Sequence, residues 1–406
     1  MPRPRGLVTA LPASSSDQPH QLTDPVPFRP DAKVLDGGQQ IVSLTLDTTR
    51  LDILPSSLTP ATFTVHATGT DPHGLDPGTV SGTYDVDRKV TAVRLDARGR
   101  IVIDLAHGFG VEGADPLGQA DGVGRAIVLE LAYTITQQQP IRSTDGRALR
   151  LTRFRQCPVV DREVDAHRSG EAAGLHYRLF SPTQSRGERP LIVWLHGGGE
   201  GGWGDAQDND LALQGNRGAL GFSTPEAQRI FGGAYVLAPQ ATDYWLNDPA
   251  MDYSATLGTL IETVAARHPV DAGRIYLAGA SNGGYMVLRL AVDHPGRFAA
   301  VVPICPAVVF EGVRMFSDAE LGSLRGTPTW VVQAIDDRVL PFAENGRHVA
   351  GTVGTALLSA YPDVTWDGIR YDGHQSWIYV AHNHPSHDGR HLWQWMARQR
   401  LEPYRR

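Results

Sequence analysis

The sequence predicts two domains: an all-β sandwich, then an α/β domain whose mostly parallel sheet carries helices on both faces. From Gln40 to about residue 136, short segments alternate apolar and polar residues between turn clusters, with almost no helical periodicity. From Tyr177 onward, apolar strands alternate with helical patterns, which is typical of a parallel sheet. A length of 406 residues and a hydrophobic content of 41% allow each domain its own core.

Each domain has an expected set of elements. The sandwich strands are Ile41–Leu46, Thr62–Thr68, Val90–Leu95, Arg100–Leu105 and Ile127–Thr136. The α/β strands are Tyr177–Phe180, Leu191–Leu195, Ala234–Ala238, Arg274–Ala280, Phe298–Cys305 and Thr329–Ile335, with Val364–Tyr371 as the last. The helices are Tyr253–Arg267, Gly284–His294, Glu344–Thr352 and His391–Arg400.

Composition predicts the domain boundaries. Residues 1–37 are rich in Pro, Ser, Asp and Gly, and we expect them to form a flexible leader. The sandwich then spans residues 38–140, a polar linker spans 141–155, and the α/β domain spans 156–406. No cluster of His, Asp or Ser in the sandwich has catalytic spacing, so we expect a scaffold or interaction domain.

The segment Arg274–Gly284 carries the strongest functional signal. A β-forming stretch runs into Gly279-Ala280-Ser281-Asn282-Gly283, which fits G-x-S-x-G, and an apolar helix follows. This is the sequence form of a nucleophile elbow, a sharp turn that exposes a serine hydroxyl at the edge of a sheet. Small residues two before and two after the serine let strand and helix approach closely. Ser281 is therefore the predicted nucleophile.

A glycine-rich loop, HGGGEGG, follows the strand Leu191–Leu195. Glycines allow backbone N–H groups to turn toward a substrate oxygen without steric cost. In serine acyl transfer that oxygen becomes an anion, held by one N–H from this loop and one from the residue after the nucleophile. We predict Gly198, or its neighbour Gly199, and Asn282 as these donors.

A serine nucleophile needs a base, and the base needs a carboxylate to orient it. Asp336 and Asp337 follow a late strand, and Asp337 is preferred for its D-x-x-x-P spacing to Pro341. The predicted base is His374, in a loop after the last strand. The order Ser281, Asp337, His374 is that of α/β-hydrolases.

A second histidine group offers a competing metal hypothesis. Its members are His382, His384, His387 and His391. Their spacings are usable by zinc, but no helical H-E-x-x-H accompanies them and the segment reads as a loop. We expect solvated loop histidines and no metal.

Charge and composition narrow the remaining classes. The net charge is −7 with no basic run, which argues against nucleic acid. Two cysteines exclude a disulfide scaffold and a Cys-rich zinc site. No stretch approaches a membrane span, and the N-terminus lacks an apolar run of signal-peptide length. The protein is expected to be cytoplasmic, or extracellular or periplasmic if a leader was removed before this Met.

The second half resembles the polyhydroxybutyrate-depolymerase-like and dienelactone-hydrolase-like α/β-hydrolases. The resemblance rests on these segments: Leu191–Gly202, Asp208–Asp210 with Gly215–Ala219, Tyr235–Gln240, Asp271–Tyr285, the Asp337 loop and Gly373–Trp377. The whole chain resembles bacterial esterases with an N-terminal immunoglobulin-like domain, although the sandwich half matches only by strand pattern and position. One departure is at Gly201, because the loop usually reads HGAGERG in that family.

This resemblance implies hydrolysis of carboxylic esters by a Ser–His–Asp triad without a cofactor. Glu200, Trp245 and Trp377 are the residues expected to line the substrate pocket. The substrate is a small-molecule or polymeric ester. The open sheet edges of the sandwich offer a surface for self-association, so a homo-oligomer through the N-terminal domain is expected.

Two other functions share parts of this pattern. A serine peptidase of prolyl-oligopeptidase type has the same elbow and triad order, but it usually carries a propeller, for which this N-terminal half is too short. A polymer-binding surface protein with an inert hydrolase half would be expected to have lost a triad member. All three predicted members, Ser281, Asp337 and His374, are present.

Overall fold

A computed structural model describes residues 20–21, 24–75, 78–183, 187–203, 207, 209–246 and 251–401. The N-terminal domain is strand-rich, and its two main sheets enclose one apolar core. One sheet has the strand order Phe154–Gln156, Val26–Leu35, Gly38–Leu46, Ile101–Leu105 and Val90–Leu95. The other has the order Glu130–Gln137, Phe63–Thr70 and Tyr84–Arg88.

Two small sheets complete this domain. The first has the order His20–Gln21, Ala148–Arg150 and Ile141–Arg142. The second has the order Arg125–Val128, Leu117–Ala120 and Val80–Ser81. This second small sheet faces the α/β domain.

Within the described residues, the expected leader and the expected linker both contain strands. Val26–Leu35 is a strand with alternating burial that pairs antiparallel with Gly38–Leu46. Two prolines and one aspartate interrupt the apolar pattern of this strand in the sequence, although alternate residues along it are buried in the core. The expected linker also contains strands, of which Phe154–Gln156 pairs with the start of Val26–Leu35. Residues 1–19 and 22–23 of the leader lie outside the described part.

The α/β domain is built on one eight-stranded sheet. Its strands are β1 (His167–Ala172), β2 (Leu175–Phe180), β3 (Arg189–Leu195), β4 (Tyr235–Pro239), β5 (Val270–Ala280), β6 (Ala300–Ile304), β7 (Trp330–Ala334) and β8 (Leu357–Tyr361). The spatial order is β1-β2-β4-β3-β5-β6-β7-β8, and β3 through β8 run parallel. The carboxyl ends of β3, β5, β6 and β7 therefore meet at one edge.

Helices cover both faces of this sheet. They are Arg162–Asp165, Leu211–Gln214, Gly218–Ser223, Pro225–Phe231, Tyr253–Arg267, Asn282–Asp293, Asp318–Ser323, Gly346–Val353, Trp377–Ala381 and Leu392–Arg398. Alternate residues of β3 enter opposite cores. Leu191, Val193 and Leu195 pack on one face, whereas Ile192 and Trp194 pack on the other. This explains the continuous apolar run of the strand.

The prediction of the last strand is wrong. Leu357–Tyr361 is β8, and the predicted segment forms a separate hairpin of Val364–Trp366 and Ile369–Tyr371. The residues of β8 alternate between partly buried and exposed, as expected of an edge strand, so they lack the apolar run used to recognise the others. No helix within the described ranges is long and apolar enough to cross a membrane.

Several polar contacts join the two domains. Gln39 donates to the Asp161 carboxylate at 2.8 Å. Arg217 donates to the Val34 carbonyl of the N-terminal domain, while Glu163 of its own domain holds its guanidinium by two N–O contacts of 2.9 Å. These contacts hold the sandwich against the edge of the α/β sheet at which the predicted catalytic residues lie.

Candidate active site

Ser281 lies on the sharp turn between β5 and the helix Asn282–Asp293. Its backbone has φ 56° and ψ −114°, outside the conformations that a non-glycine residue favours. The turn is held by main-chain bonds, because the Ser281 N–H donates to the Ile304 carbonyl at 2.9 Å and its carbonyl accepts from Tyr285 at 3.0 Å. The side chain is partly exposed, at the floor of a cavity between the domains.

Close packing explains the glycines on either side of this serine. A Cβ at Gly279 would lie 2.7 Å from the Gly283 carbonyl oxygen and 2.8 Å from that of Leu195. A Cβ at Gly283 would clash with the Leu195 and His196 carbonyl oxygens. Backbone atoms cannot move aside cheaply, so the strand and helix can approach only where both positions lack a side chain.

His374 lines the same cavity as Ser281 and pairs with Asp337. His374 Nδ1 lies 3.1 and 3.0 Å from the two Asp337 carboxylate oxygens, and the Asp337 side chain is fully buried. Asp337 also accepts bonds from the Val339 and Leu340 N–H groups and from the Gln333 amide. These donors fix the carboxylate, which in turn orients the imidazole.

The pairing shifts the pKa of both groups. Burial alone would raise the pKa of Asp337, but His374 and the surrounding donors hold it below its ordinary value. Burial alone would lower the pKa of His374, but the Cys305 sulfur and the Asp337 carboxylate outweigh it and raise that pKa. An ionised Asp337 therefore faces an imidazole that readily takes up a proton.

Asp336 points elsewhere. Its carboxylate accepts from Arg370 at 2.9 Å, at a partly exposed position. The two adjacent carboxylates thus have separate partners, and Asp337 is the one that meets His374.

The glycine-rich loop is held from behind by His196 and Trp245. His196 Nε2 accepts the Ala241 N–H at 3.0 Å, so its Nδ1 carries the proton and donates to the Gly197 carbonyl at 2.6 Å. Burial lowers the pKa of His196 to about 4, which keeps this ring neutral. The Trp245 indole donates to the His196 carbonyl at 3.0 Å, and its backbone N–H donates to the Asn282 side chain at 2.7 Å.

The predicted oxyanion donors lie around the same cavity. Asn282 begins the helix, where backbone N–H groups have no partner within the helix. Gly198 and Gly199 both line the cavity beside Ser281. A Cβ at Gly198 would lie 2.7 Å from the Tyr244 ring, so a side chain at this position would require that ring to shift.

The cavity has a volume of about 750 Å³. Two of the predicted pocket residues, Glu200 and Trp377, line it. Asn216 donates to the Glu200 carboxylate at 2.8 Å, and burial raises the pKa of Glu200. Trp245 is buried behind the loop and does not line this cavity. The adjacent Tyr244 lines the cavity instead.

The sandwich also lines this cavity, contrary to its expected role outside the chemistry. It contributes Gly37, Gly38, Gln39, Ser81, Gly82, Asp115, Leu117, Gly118, Gln119, Gly124 and Ala126. Sequence reasoning missed this wall because it depends on how the two domains pack. It also missed Arg125, because this residue belongs to no recognisable sequence motif.

Gly201 stands where the resembling family has an arginine. A Cβ at this position would meet the Asp243 carbonyl oxygen, so a side chain has no room.

One group in the described residues has donors close enough for a metal ion. Cys305, Asp337 and His374 each place a ligand atom within 4.8 Å of the others. Asp337 and His374 already pair with each other, so a cation at this site would compete with that pair.

The second histidine group has other partners. His382 contacts Asp36 at 2.6 Å, His384 contacts the Tyr361 hydroxyl and His391 contacts a carbonyl. Both cysteines are free.

The sheet order, the turn at Ser281 and the His374–Asp337 pair define an α/β-hydrolase fold with a candidate serine-hydrolase site. Residues 32–150 match the family model of the esterase Ig-like N-terminal domain, and residues 175–354 match that of the PHB depolymerase esterase family. Over these two ranges the chain resembles esterases of the α/β-hydrolase fold that carry an Ig-like N-terminal domain. The resemblance and the fold class predicted from sequence are confirmed.

Individual relatives agree with this assignment. NocK of Nocardia uniformis subsp. tsuyamanensis, which is named as an esterase, is 31% identical over 160 residues, 38% of this chain and 45% of that protein. A poly(3-hydroxybutyrate) depolymerase of Ralstonia pickettii is 28% identical over 152 residues, 34% of this chain and 30% of that protein. The chain thus spans less than half the length of either relative.

Among solved structures, a thermostable esterase superposes with a TM-score of 0.76 at 22% identity, over 92% of this chain and 99% of that chain. At this identity the match shows that the two proteins share a fold, and its coverage extends the shared fold to both domains.

The elbow glycines yield a first prediction. Gly279→Ala should destabilise the fold by about 1–3 kcal/mol, because the new Cβ overlaps two carbonyl oxygens. The matched control is Gly351→Ala, at an exposed helical position with nothing within 4 Å of the added atom. That change should be neutral or stabilising. Urea unfolding of both variants measures the difference, and equal stability would contradict the close approach.

The two neighbouring aspartates yield a second prediction. Asp337→Asn should lower kcat by about ten-thousandfold, because the amide favours the wrong imidazole tautomer. Asp336→Asn should have a small effect, since it removes only a partly exposed ion pair. Steady-state kinetics on p-nitrophenyl acetate compares them. Similar losses in both variants would show that His374 has another partner.

The raised pKa of His374 yields a third prediction. The imidazole must be neutral to accept a proton, so activity is lost as the pH falls through its pKa. Because that pKa lies above its ordinary 6.5, the acid limb of kcat/KM should have its midpoint above pH 6.5. Circular dichroism over the same range controls for unfolding. A midpoint at or below 6.5 in folded protein would contradict the pairing.

Proposed function

We propose that this protein is a serine carboxylesterase that acts through an acyl-enzyme intermediate. The observation that carries the proposal is the meeting of Ser281, on its strained turn, with the His374–Asp337 pair at one cavity. The predicted domain division, in which the α/β domain carries all three residues, is part of the proposal. The esterase family matches of both domains support it.

The proposed reaction has two steps. The Ser281 hydroxyl attacks the ester carbonyl while His374 takes its proton, and Asp337 stabilises the imidazolium that forms. The N–H groups of Asn282 and Gly198, with Gly199 as the alternative donor, bind the oxyanion. His374 then protonates the leaving alcohol. Water, activated by the same histidine, releases the acid and restores Ser281.

The cavity suits a small or short-chain acyl ester or a segment of a polyester. Glu200 and Trp377 are the proposed substrate contacts, because both line the cavity and Trp377 packs edge-on against the His374 ring. No cofactor is required by this chemistry. Self-association through the sandwich stays a prediction, as does the location of the protein in the cytoplasm, the periplasm or outside the cell.

The direct test of this proposal is Ser281→Ala. Loss of the nucleophile should lower ester turnover by about four to six orders of magnitude, because it removes the covalent route. Ser386→Ala, at an exposed serine, is the matched control and should keep its activity.

Two further measurements define the function. A fluorophosphonate should label Ser281 in the intact protein, as mass spectrometry of the labelled peptide will show. Parallel assays on p-nitrophenyl acetate and alanine p-nitroanilide separate an esterase from a peptidase. Labelling at another serine, or faster cleavage of the anilide, would overturn the proposal, and absence of both turnover and labelling would support an inert hydrolase half.

A further inference from the structure

The glycine-rich loop that carries a proposed oxyanion donor has little rigidity of its own. Consecutive glycines leave the backbone free to adopt many conformations, yet catalysis requires a donor N–H aimed at a defined point. The loop must therefore be held by its surroundings. His196 and Trp245 hold its first residues, and the question is what holds Gly199–Gly202.

Within the α/β domain, Gln240 donates to the Glu200 carbonyl and the Gly202 N–H donates to the Ala241 carbonyl. The sandwich adds two further bonds to this second part of the loop. The strand Arg125–Val128 lies beside it, and the Ala126 N–H donates to the Gly199 carbonyl at 2.8 Å. Arg125 Nε donates to the Gly202 carbonyl at 3.2 Å. Two consecutive residues of the sandwich thus bond both ends of this four-residue segment.

Arg125 also contacts the loop Asp243–Trp245, which packs directly against the glycine-rich loop. Its guanidinium contacts the Asp243 carboxylate and lies over the Tyr244 ring, 3.4 Å from the ring centre. The Tyr244 hydroxyl in turn donates to the Val123 carbonyl of the sandwich at 3.2 Å. The next residue, Trp245, bonds Asn282, the residue that follows the nucleophile.

Stability alone does not account for this arrangement. Arg125 is 2% exposed, and its Nη1 is buried without a hydrogen-bond partner among the described residues. Its carboxylate partner is largely exposed. A buried, incompletely satisfied charge is unfavourable, and an apolar residue would fill the space at lower cost. The planar guanidinium group instead contacts the Gly202 carbonyl, the Asp243 carboxylate and the Tyr244 ring at once. A lysine or an apolar side chain cannot make all three contacts.

We propose that Arg125 is a positioning residue for catalysis, by which the sandwich fixes the two loops that present the proposed oxyanion donors. It does not touch the substrate. It acts by holding Gly199–Gly202 and Asp243–Trp245 in one arrangement, so that the donors near Gly198 and Asn282 meet the developing oxyanion without reorganisation. This inference rests on the proposed function and gives the Ig-like domain a role in the chemistry.

The test uses the full chain and three variants. Arg125→Ala should lower kcat by ten- to hundredfold with KM changed less than about threefold, because misplaced donors affect the transition state more than substrate binding. Arg125→Lys keeps the charge without the planar fork and should give an intermediate loss. If Arg125→Ala does not fold, the lysine variant carries the test. Arg217→Ala, which removes the other interdomain arginine, controls for domain docking.

Two readouts separate positioning from a general structural role. A trifluoromethyl ketone that forms an oxyanion adduct with the serine should bind Arg125→Ala more weakly by the factor lost in kcat/KM. Added guanidinium, below its denaturing concentration, should restore part of the turnover of Arg125→Ala.

The failing outcomes are distinct. A kcat for Arg125→Ala within twofold of the wild type, inhibitor binding that does not weaken, or an equal loss in Arg217→Ala would overturn the inference. A wild-type protein that neither hydrolyses p-nitrophenyl acetate nor is labelled at Ser281 would overturn the proposed function itself.

Discussion

The structure depends on the sharp turn at Ser281. A left-handed φ at a serine is unfavourable, and it persists because main-chain bonds to Ile304 and Tyr285 fix it from both sides. The same turn requires two glycines, since the helix passes so close to β3 that a Cβ at either position would meet carbonyl oxygens. The strain at one residue is therefore supported by the packing of three elements.

Around that turn, each group that the proposed reaction requires comes from a different part of the fold. The carboxyl end of β7 is followed by a buried aspartate whose oxygens already accept three neighbouring donors, so the carboxylate is oriented independently of the imidazole. The loop after β3 is fixed by a neutral histidine and a tryptophan. Such arrangements lower the reorganisation needed at the moment of reaction, which is where electrostatic catalysis gains most.

The Ig-like domain is part of this arrangement. Its small sheet bonds the glycine-rich loop through Ala126, and the same face supplies one wall of the cavity. Under the proposed function, the ester would contact both domains, because the cavity is bounded by their interface. This makes the pairing of the two domains a functional property as well as a matter of stability.

The sequence by itself determined the division into a sandwich and an α/β sheet, the elbow at Ser281 and the candidate pair Asp337 and His374. These depend on local signals: residue alternation, glycine spacing, and polar residues placed just after apolar strands. Local signals failed for the strand Val26–Leu35, where prolines hid the alternation, and for β8, whose edge position removes the apolar run. Only the tertiary structure decided which aspartate meets the histidine, that Trp245 lies behind the loop, and that Arg125 reaches it from the other domain. Each of these depends on contacts between residues far apart in the chain, and no spacing in the sequence encodes the packing of two domains.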